Sequence, residues 1–240
     1  MQNLAPSPFD ITDLCEKTNF HYLRYGHGAQ RAMVGDTIIN CDGHSLGFPE
    51  MREDLVDSIM NPCRGDNVLY GLMEIGRYVK GFKEPIIELF NSAPVTHWVD
   101  GDIFYPAIVE KKAHIYLRFL QKPEFDICLV GPPHLEKMDE HLNVTAHFKT
   151  DKNCYLQKNE AMQFLKRNQQ DFNVVLFAAA MLSEVLIHKL HDQFMDKALI
   201  DVGAFFDPLC GVRSRGYAQR LSDNFLRHSF LGDPSSHKSR

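Results

Sequence analysis

Short runs of apolar residues constrain this chain more than anything else in it. The clearest are Ile127-Cys-Leu-Val130, Phe172-Asn-Val-Val-Leu-Phe-Ala-Ala-Ala180 and the stretch Ala198–Val202. Runs that are apolar at nearly every residue, rather than at every second one, belong to strands covered on both faces. The second and third are separated by a helical pattern over Met181–Phe194, and a helix follows the turn after the first. Such alternation calls for parallel strands joined by right-handed crossovers. The expected fold class is α/β: a Rossmann-like, mostly parallel sheet with helices on both faces, in a single domain. A chain of 240 residues is long enough to bury the core this needs.

The remaining elements fit the same plan. Phe20–Tyr25 and Asn67–Leu72 read as strands, and so does Asn143–Thr150. Pro49–Met60 reads as an amphipathic helix that starts on proline and places Met51, Leu55, Val56 and Ile59 on one side. Helices are also expected at Glu84–Phe90, Ile103–Leu120 and Asn159–Arg167. Residues 1–19 read as a loose arm ending in a short helix around Ile11–Lys17, residues 20–230 as the domain, and residues 231–240 as a polar, disordered tail.

Composition narrows the function classes. A net charge of −5 disfavours a general nucleic-acid binder, which needs clustered cations to displace counterions. No apolar run approaches a membrane span, and the first residues are neither basic nor apolar enough for a secretory signal. Cysteines 15, 41, 63, 128, 154 and 210 form no Cys-x-x-Cys pair. Reduced, partly buried thiols in a cytoplasmic protein are therefore expected, without structural zinc or a disulfide framework.

In open α/β sheets ligands bind outside the carboxyl ends of the strands, so the residues there carry the functional reading. The last apolar run contains Asp201 and is followed by Gly203, Asp207, Pro208 and Arg213-Ser214-Arg215. Glycine, carboxylates and paired arginines suit an anionic, hydroxyl-bearing ligand; a strand–loop–helix joint with solvated arginines is the plainer alternative. The first strand ends in Gly26-His27-Gly28, a pattern that can bring backbone amides near phosphate. Asn40, Asp42, Gly43 and His44 can hold a hard cation or sugar hydroxyls, or can form a self-bonded Asx turn. Asp100-Gly-Asp102 can hold a cation against a diphosphate, or Asp102 can cap the helix behind it. Trp98 can stack on a sugar or base, or lie in the core. Ala178–Ala180 permit close packing or close ligand approach. His188 and His191 read as satisfied surface or boundary histidines.

Taken in order, Leu23-Arg-Tyr-Gly-x-Gly28, Asn40-Cys-Asp-Gly-His44, Trp98-Val-Asp-Gly-Asp102, Leu129-Val-Gly-Pro-Pro-His-Leu135, Asn153-Cys-Tyr155, Val175–Ala180 and Ile200-Asp-Val-Gly203 through Ser214-Arg215 resemble the GT-D type of glycosyltransferase over about residues 20–217. The resemblance implies a sheet that binds a nucleoside-diphosphate sugar and passes its glycosyl group to a glycan acceptor hydroxyl. It also implies a divalent metal, manganese or magnesium. By that resemblance the donor contacts fall on Arg24, Tyr25, Gly26, His27, Gly28, Asn40, Asp42, Gly43, His44, Trp98, Gly131, Asn153, Tyr155, Gly203, Arg213, Ser214 and Arg215. Sugar or acceptor chemistry falls on Asp100, Asp102, His134, Asp201 and Asp207. The family's first strand runs into Asp-x-Glu, which helps hold the metal; here His27 and Ala29 stand at those two positions. Either His27 and Asp42 serve as ligands, or arginines such as Arg24 with Arg213 or Arg215 replace the metal, or catalysis is lost and donor binding survives. A non-catalytic sugar-nucleotide or carbohydrate-binding domain is the first alternative. A metal-dependent hydrolase using His27 and His44 is the second.

Overall fold

The structure, a computed structural model, describes residues 4–39, 43–75 and 81–232. Asn40 and Asp42 lie outside those residues. A single sheet of seven strands organises the chain: β1 (His21–Tyr25), β2 (Val68–Leu72), β3 (Trp98–Asp100), β4 (Ile127–Gly131), β5 (Val144–Lys149), β6 (Val174–Phe177) and β7 (Ala198–Asp201). Their order across the sheet is β3-β2-β1-β7-β6-β4-β5, and every pairing is parallel. The expected fold class holds, and the sheet is parallel throughout.

Side chains alternate between two core layers, as strand geometry requires. Leu23, Tyr25, Val130, Phe177 and Leu199 face one layer, with helices α2 (His27–Met33), α3 (Pro49–Met60), α4 (Lys83–Ser92), α7 (Lys158–Arg167) and α8 (Leu182–Leu190) contributing to it. Tyr22, Leu129, Leu176 and Ile200 face the other, which includes α5 (Phe104–Val109), α6 (Ala113–Leu120) and α10 (Asp223–Leu231), with Tyr217 of α9 (Gly216–Arg220) packed against it. Phe205, Phe206 and Phe230 add a tilted aromatic cluster there, with ring centroids 4.8–6.4 Å apart. Burial of these layers supplies the main drive to fold.

Several elements depart from expectation. The arm is docked from Ser7 onward: Ser7 pairs with Val99 beside β3, and α1 (Ile11–Cys15) buries Ile11 and Leu14 beside α6. Asp10 starts α1 with a capping box completed by Asp13. The helix expected over Ile103–Leu120 breaks into α5 and α6 because Lys111 adopts φ +59° between them. Its first turn is capped by no side chain, so Asp102 is not a cap. The turn after β4 leads into a 3-10 helix, Pro133–Glu140. His191 is buried rather than peripheral, bonded to the Arg64 carbonyl at 2.7 Å and to His21. His188 bonds the Asn61 carbonyl at 2.9 Å. Among the described residues five cysteines are free, and no helix is long and apolar enough to cross a membrane.

The two halves of the topology meet at β1 and β7, which lie side by side. The chain leaves β1 through α2 toward the first layer. After β7 it leaves through Val202, Phe205 and Phe206 toward the second. Neighbouring strands whose exits diverge to opposite faces open a crevice at their carboxyl ends, where ligands of α/β sheets sit.

Candidate functional site

Arg24 and Asp201 span that crevice. Arg24 comes from β1 on the second-layer side, while Asp201 ends β7 on the first-layer side. Arg24 Nε donates to Asp201 Oδ2 at 3.2 Å, with the two side chains 17% and 4% exposed. Burial opposes the guanidinium's charge, but Asp201 beside it overrides that and holds the charge firmly. The guanidinium also lies 5.7 Å from the centre of the Phe104 ring and has Met73 Sδ 3.9 Å from Nη1. Phe104 therefore supports the cation from the second layer.

Asp201 is itself fixed from behind. It accepts the Gly203 backbone N–H at 3.0 Å and a hydrogen bond from Ser183 in α8. Gly203 has φ +51°, and a methyl group there would overlap the Arg24 guanidinium. Gly203→Ala should lower stability by about 1–2 kcal/mol through the left-handed backbone alone. It should also displace Arg24. Urea unfolding checks the first effect; unchanged stability would contradict the reading of this turn.

Glu184, beside Ser183 in the first turn of α8, went unnoticed in the sequence. It is 3% exposed, and its Oε2 has no hydrogen-bond partner. Burial, and then the neighbouring Asp201 charge, pushes its carboxyl well above the usual range. Burial also raises Asp201, with Arg24 and the Gly203 N–H pulling the other way. Burial thus favours the neutral form of Glu184, while Arg24 and the Gly203 N–H favour the charged form of Asp201.

A second group lies farther along the same rim. His134, in the 3-10 helix after β4, has Nε2 2.8 Å from Asp207 Oδ1 in the loop after β7. Ser214 Oγ donates to Asp207 Oδ2. The His134 side chain is 24% exposed and that of Asp207 only 8%. No described residue bonds Nδ1 of His134. Tyr217 joins the two groups, because it lies in the electrostatic reach of Arg24, Asp102, Asp207 and Arg215; burial pushes its phenol up to about 12. Its ring packs 4.8 Å from Tyr105. β1 and β4 are three strand spacings apart, about 14 Å, a span that an extended diphosphate–sugar can bridge.

The other sequence-named residues are placed as follows. Asp100 Oδ1 accepts the Asp102 N–H at 2.8 Å, so the Asp-Gly-Asp closes a turn and leaves Asp102 near Arg24. Gly26 begins α2, where His27 Nε2 lies 3.2 Å from the Glu74 carbonyl and Gly28 continues the helix. Tyr25 and Trp98 are core residues: the Tyr25 hydroxyl bonds Ser58 at 2.8 Å, and Trp98 packs on Tyr25, Tyr70 and Phe90. Trp98 is only 8% exposed, so stacking on a ligand is closed to it. Gly131 admits no Cβ, which would come within 2.7 Å of Leu135 and 3.0 Å of Ala178. Ala178 therefore serves close packing. Arg213 turns away from the crevice to bond the Leu221 carbonyl at 2.7 Å and pair with Asp223.

Asn153 and Tyr155 form a separate group beyond β5. Asn153 Oδ1 accepts the Ser45 N–H at 2.6 Å, which brings the Gly43–His44 segment to that end of the sheet. Tyr155 donates to Asp54 at 2.7 Å, and Lys158 and Lys189 neutralise the same carboxylate. These contacts tie α3, α7 and α8 together. A groove of about 670 Å³ beside α3, lined by Leu46, Phe48, Arg52, Val56 and Met60, includes none of the rim residues.

The implied divalent metal is not matched by the described residues, among which no three His, Cys, Asp or Glu side chains gather to hold an ion. At the two acid positions of the first-strand motif, His27 faces a carbonyl and Ala29 is buried at 3% exposure. His27 and His44 likewise form no such group.

No family model and no curated protein matches the sequence. Solved structures do match. One, described as a new glycosyltransferase (DUF1792) from Streptococcus sanguinis, superposes with a TM-score of 0.63 at 15% identity, over 83% of this chain and 82% of that one. Another, for which the highly conserved domain of unknown function 1792 is said to have a distinct glycosyltransferase fold, gives 0.62 at 15% identity, over 83% and 79%. A selenomethionine structure of the same domain gives 0.63. The chain thus has the fold of the domain of unknown function 1792, a distinct glycosyltransferase fold, and its GT-D resemblance holds at the level of the fold.

Proposed function

We propose that this protein is a glycosyltransferase that binds a nucleoside-diphosphate sugar across the ends of β1, β7 and β4 and transfers the sugar to an acceptor hydroxyl. The observation that carries this reading is the Arg24 guanidinium, on a side chain that is 17% exposed, held by Asp201 in the crevice where the sheet's connections diverge. A fixed cation in a dry site stabilises charge that develops on a departing diphosphate. Arg24 takes that role. Arg215, close enough to Tyr217 to influence it, adds positive potential on the same side.

His134 supplies the complementary chemistry. With Asp207 accepting its Nε2–H, the tautomer that remains presents Nδ1 as a base. Nδ1 removes the acceptor hydroxyl proton as oxygen attacks the anomeric carbon, and the resulting imidazolium faces the Asp207 carboxylate. Ser214 holds the second oxygen of that carboxylate. No step here passes through a metal.

A panel of UDP-glucose, GDP-mannose, ADP-glucose and dTDP-glucose, with and without manganese, tests the donor class by thermal shift. At least one should raise the melting temperature without manganese, since a ligand that binds only the folded state stabilises it. No shift across the panel would remove the transferase reading. Ala29 and His27 at the motif's acid positions favour one other reading, a binding domain without turnover. That reading requires a positive shift together with no glycosyl transfer to any acceptor.

A further inference from the structure

We infer that binding of a diphosphate at Arg24 takes up a proton from solvent onto the buried carboxyl of Asp201, so that donor affinity rises as pH falls. The inference rests on the reading of Arg24 as the diphosphate contact. Its basis is the burial of Asp201 against one guanidinium, with a second buried carboxyl, Glu184, near enough to disfavour a further negative charge. Among the described residues Glu184 Oε2 makes no hydrogen bond, and Arg24 is the one cation paired with Asp201. The titratable side chains that interact with this cluster include Tyr22 and Tyr25 of β1, Asp102 after β3, and Tyr217, beside the uncharged Ser183, Phe104 and Met73. None of them offers a second cation. Burial keeps Tyr22, Tyr25 and Tyr217 protonated, and Asp102 adds only negative charge.

A diphosphate that takes over the guanidinium leaves Asp201 as a buried anion beside the two phosphates. Burying an unpaired charge costs far more than neutralising it. A proton from solvent therefore joins one Asp201 oxygen, and the Gly203 N–H and Ser183 hydroxyl remain bonded to the carboxyl. Burial favours the neutral form of Glu184 and so opposes a second negative charge beside Asp201. At lower pH, where Asp201 is protonated more often before binding, Arg24 is freer to meet the ligand.

Calorimetry with the tightest binder of the UDP-, GDP-, ADP- and dTDP-sugar panel tests this. Sugar diphosphates are suitable probes because their phosphates, esterified at both ends, do not titrate near neutral pH. Titrations in two buffers of different ionisation enthalpy should show close to one proton taken up. Affinity should fall as pH rises, by up to about tenfold per pH unit. Asp201→Asn should bind with no proton uptake and with an affinity that no longer depends on pH. Binding without proton exchange in the unaltered protein would overturn the inference, as would uptake retained by Asp201→Asn. The measurement on the unaltered protein decides the matter even if the variant fails to fold. A panel with no binder would instead overturn the donor-site reading beneath it.

Discussion

Arg24→Ala should weaken binding of nucleotide sugars by about thirtyfold or more and also destabilise the fold, most strongly at high pH. The two effects have separate causes. Charged hydrogen bonds from a partly buried cation to an anion are among the strongest polar contacts, and truncating one partner costs about 2–5 kcal/mol of affinity, roughly thirtyfold or more. Stability suffers because Asp201 stays buried without its cation, a loss on the order of 3–5 kcal/mol for a broken buried pair. Protonation of Asp201 limits that loss. With Arg24 gone, only the Gly203 N–H and Ser183 hydroxyl still oppose the burial that already raises the Asp201 pKa above its ordinary value. A group raised in the folded state contributes stability that is present at low pH and lost as pH climbs through its folded value. The variant should therefore approach the parent at acidic pH and fall away from it toward neutrality. Arg24→Lys should restore part of the stability but less of the affinity, because a lysine lacks the fork that meets two phosphate oxygens. Urea unfolding at several pH values and calorimetry with the best panel ligand measure both.

His134→Ala should cut glycosyl transfer about 10²- to 10⁴-fold, the range for losing a positioned general base, while donor affinity stays near that of the parent. The separation follows from placement: His134 stands on β4's side of the rim, three strands from Arg24. Asp207→Asn should also slow transfer, because an amide can donate to Nε2 and so favour the tautomer that places the proton on Nδ1. Steady-state rates with a competent donor, set beside binding constants for the same variants, check both. Loss of binding with no specific loss of rate would mean that His134 contacts the donor instead.

Most of the sheet was legible in the sequence. Strands such as Ile127–Val130 are covered on both faces, so their apolar runs are unbroken. β3 was missed because Trp98–Asp100 is too short to show a period. The break between α5 and α6 was hidden because Lys111, rather than glycine, takes the positive φ. α2 was missed because two glycines at its start read as a phosphate loop. The site was legible in part. Asp201, Gly203 and Arg24 stood out as polar or glycine residues at the ends of strands, and Asp207 and His134 as charged or polar residues in turns. Tyr25 and Trp98 did not reveal their packing, because an aromatic residue near a strand end is compatible with either core or ligand. Glu184 went unseen because a lone acid on an apolar helix reads as the solvent-facing position. Only the helix's burial against β1 and β7 shows that it points inward.

A crystal structure of the protein with the tightest-binding nucleotide sugar bears most directly on where the ligand sits. The expected result has phosphate oxygens within hydrogen-bond distance of the Arg24 guanidinium, between the ends of β1 and β7, with the sugar directed toward His134. Phosphates seated in the groove beside α3 against Arg52, with the Arg24–Asp201 pair undisturbed, would contradict it.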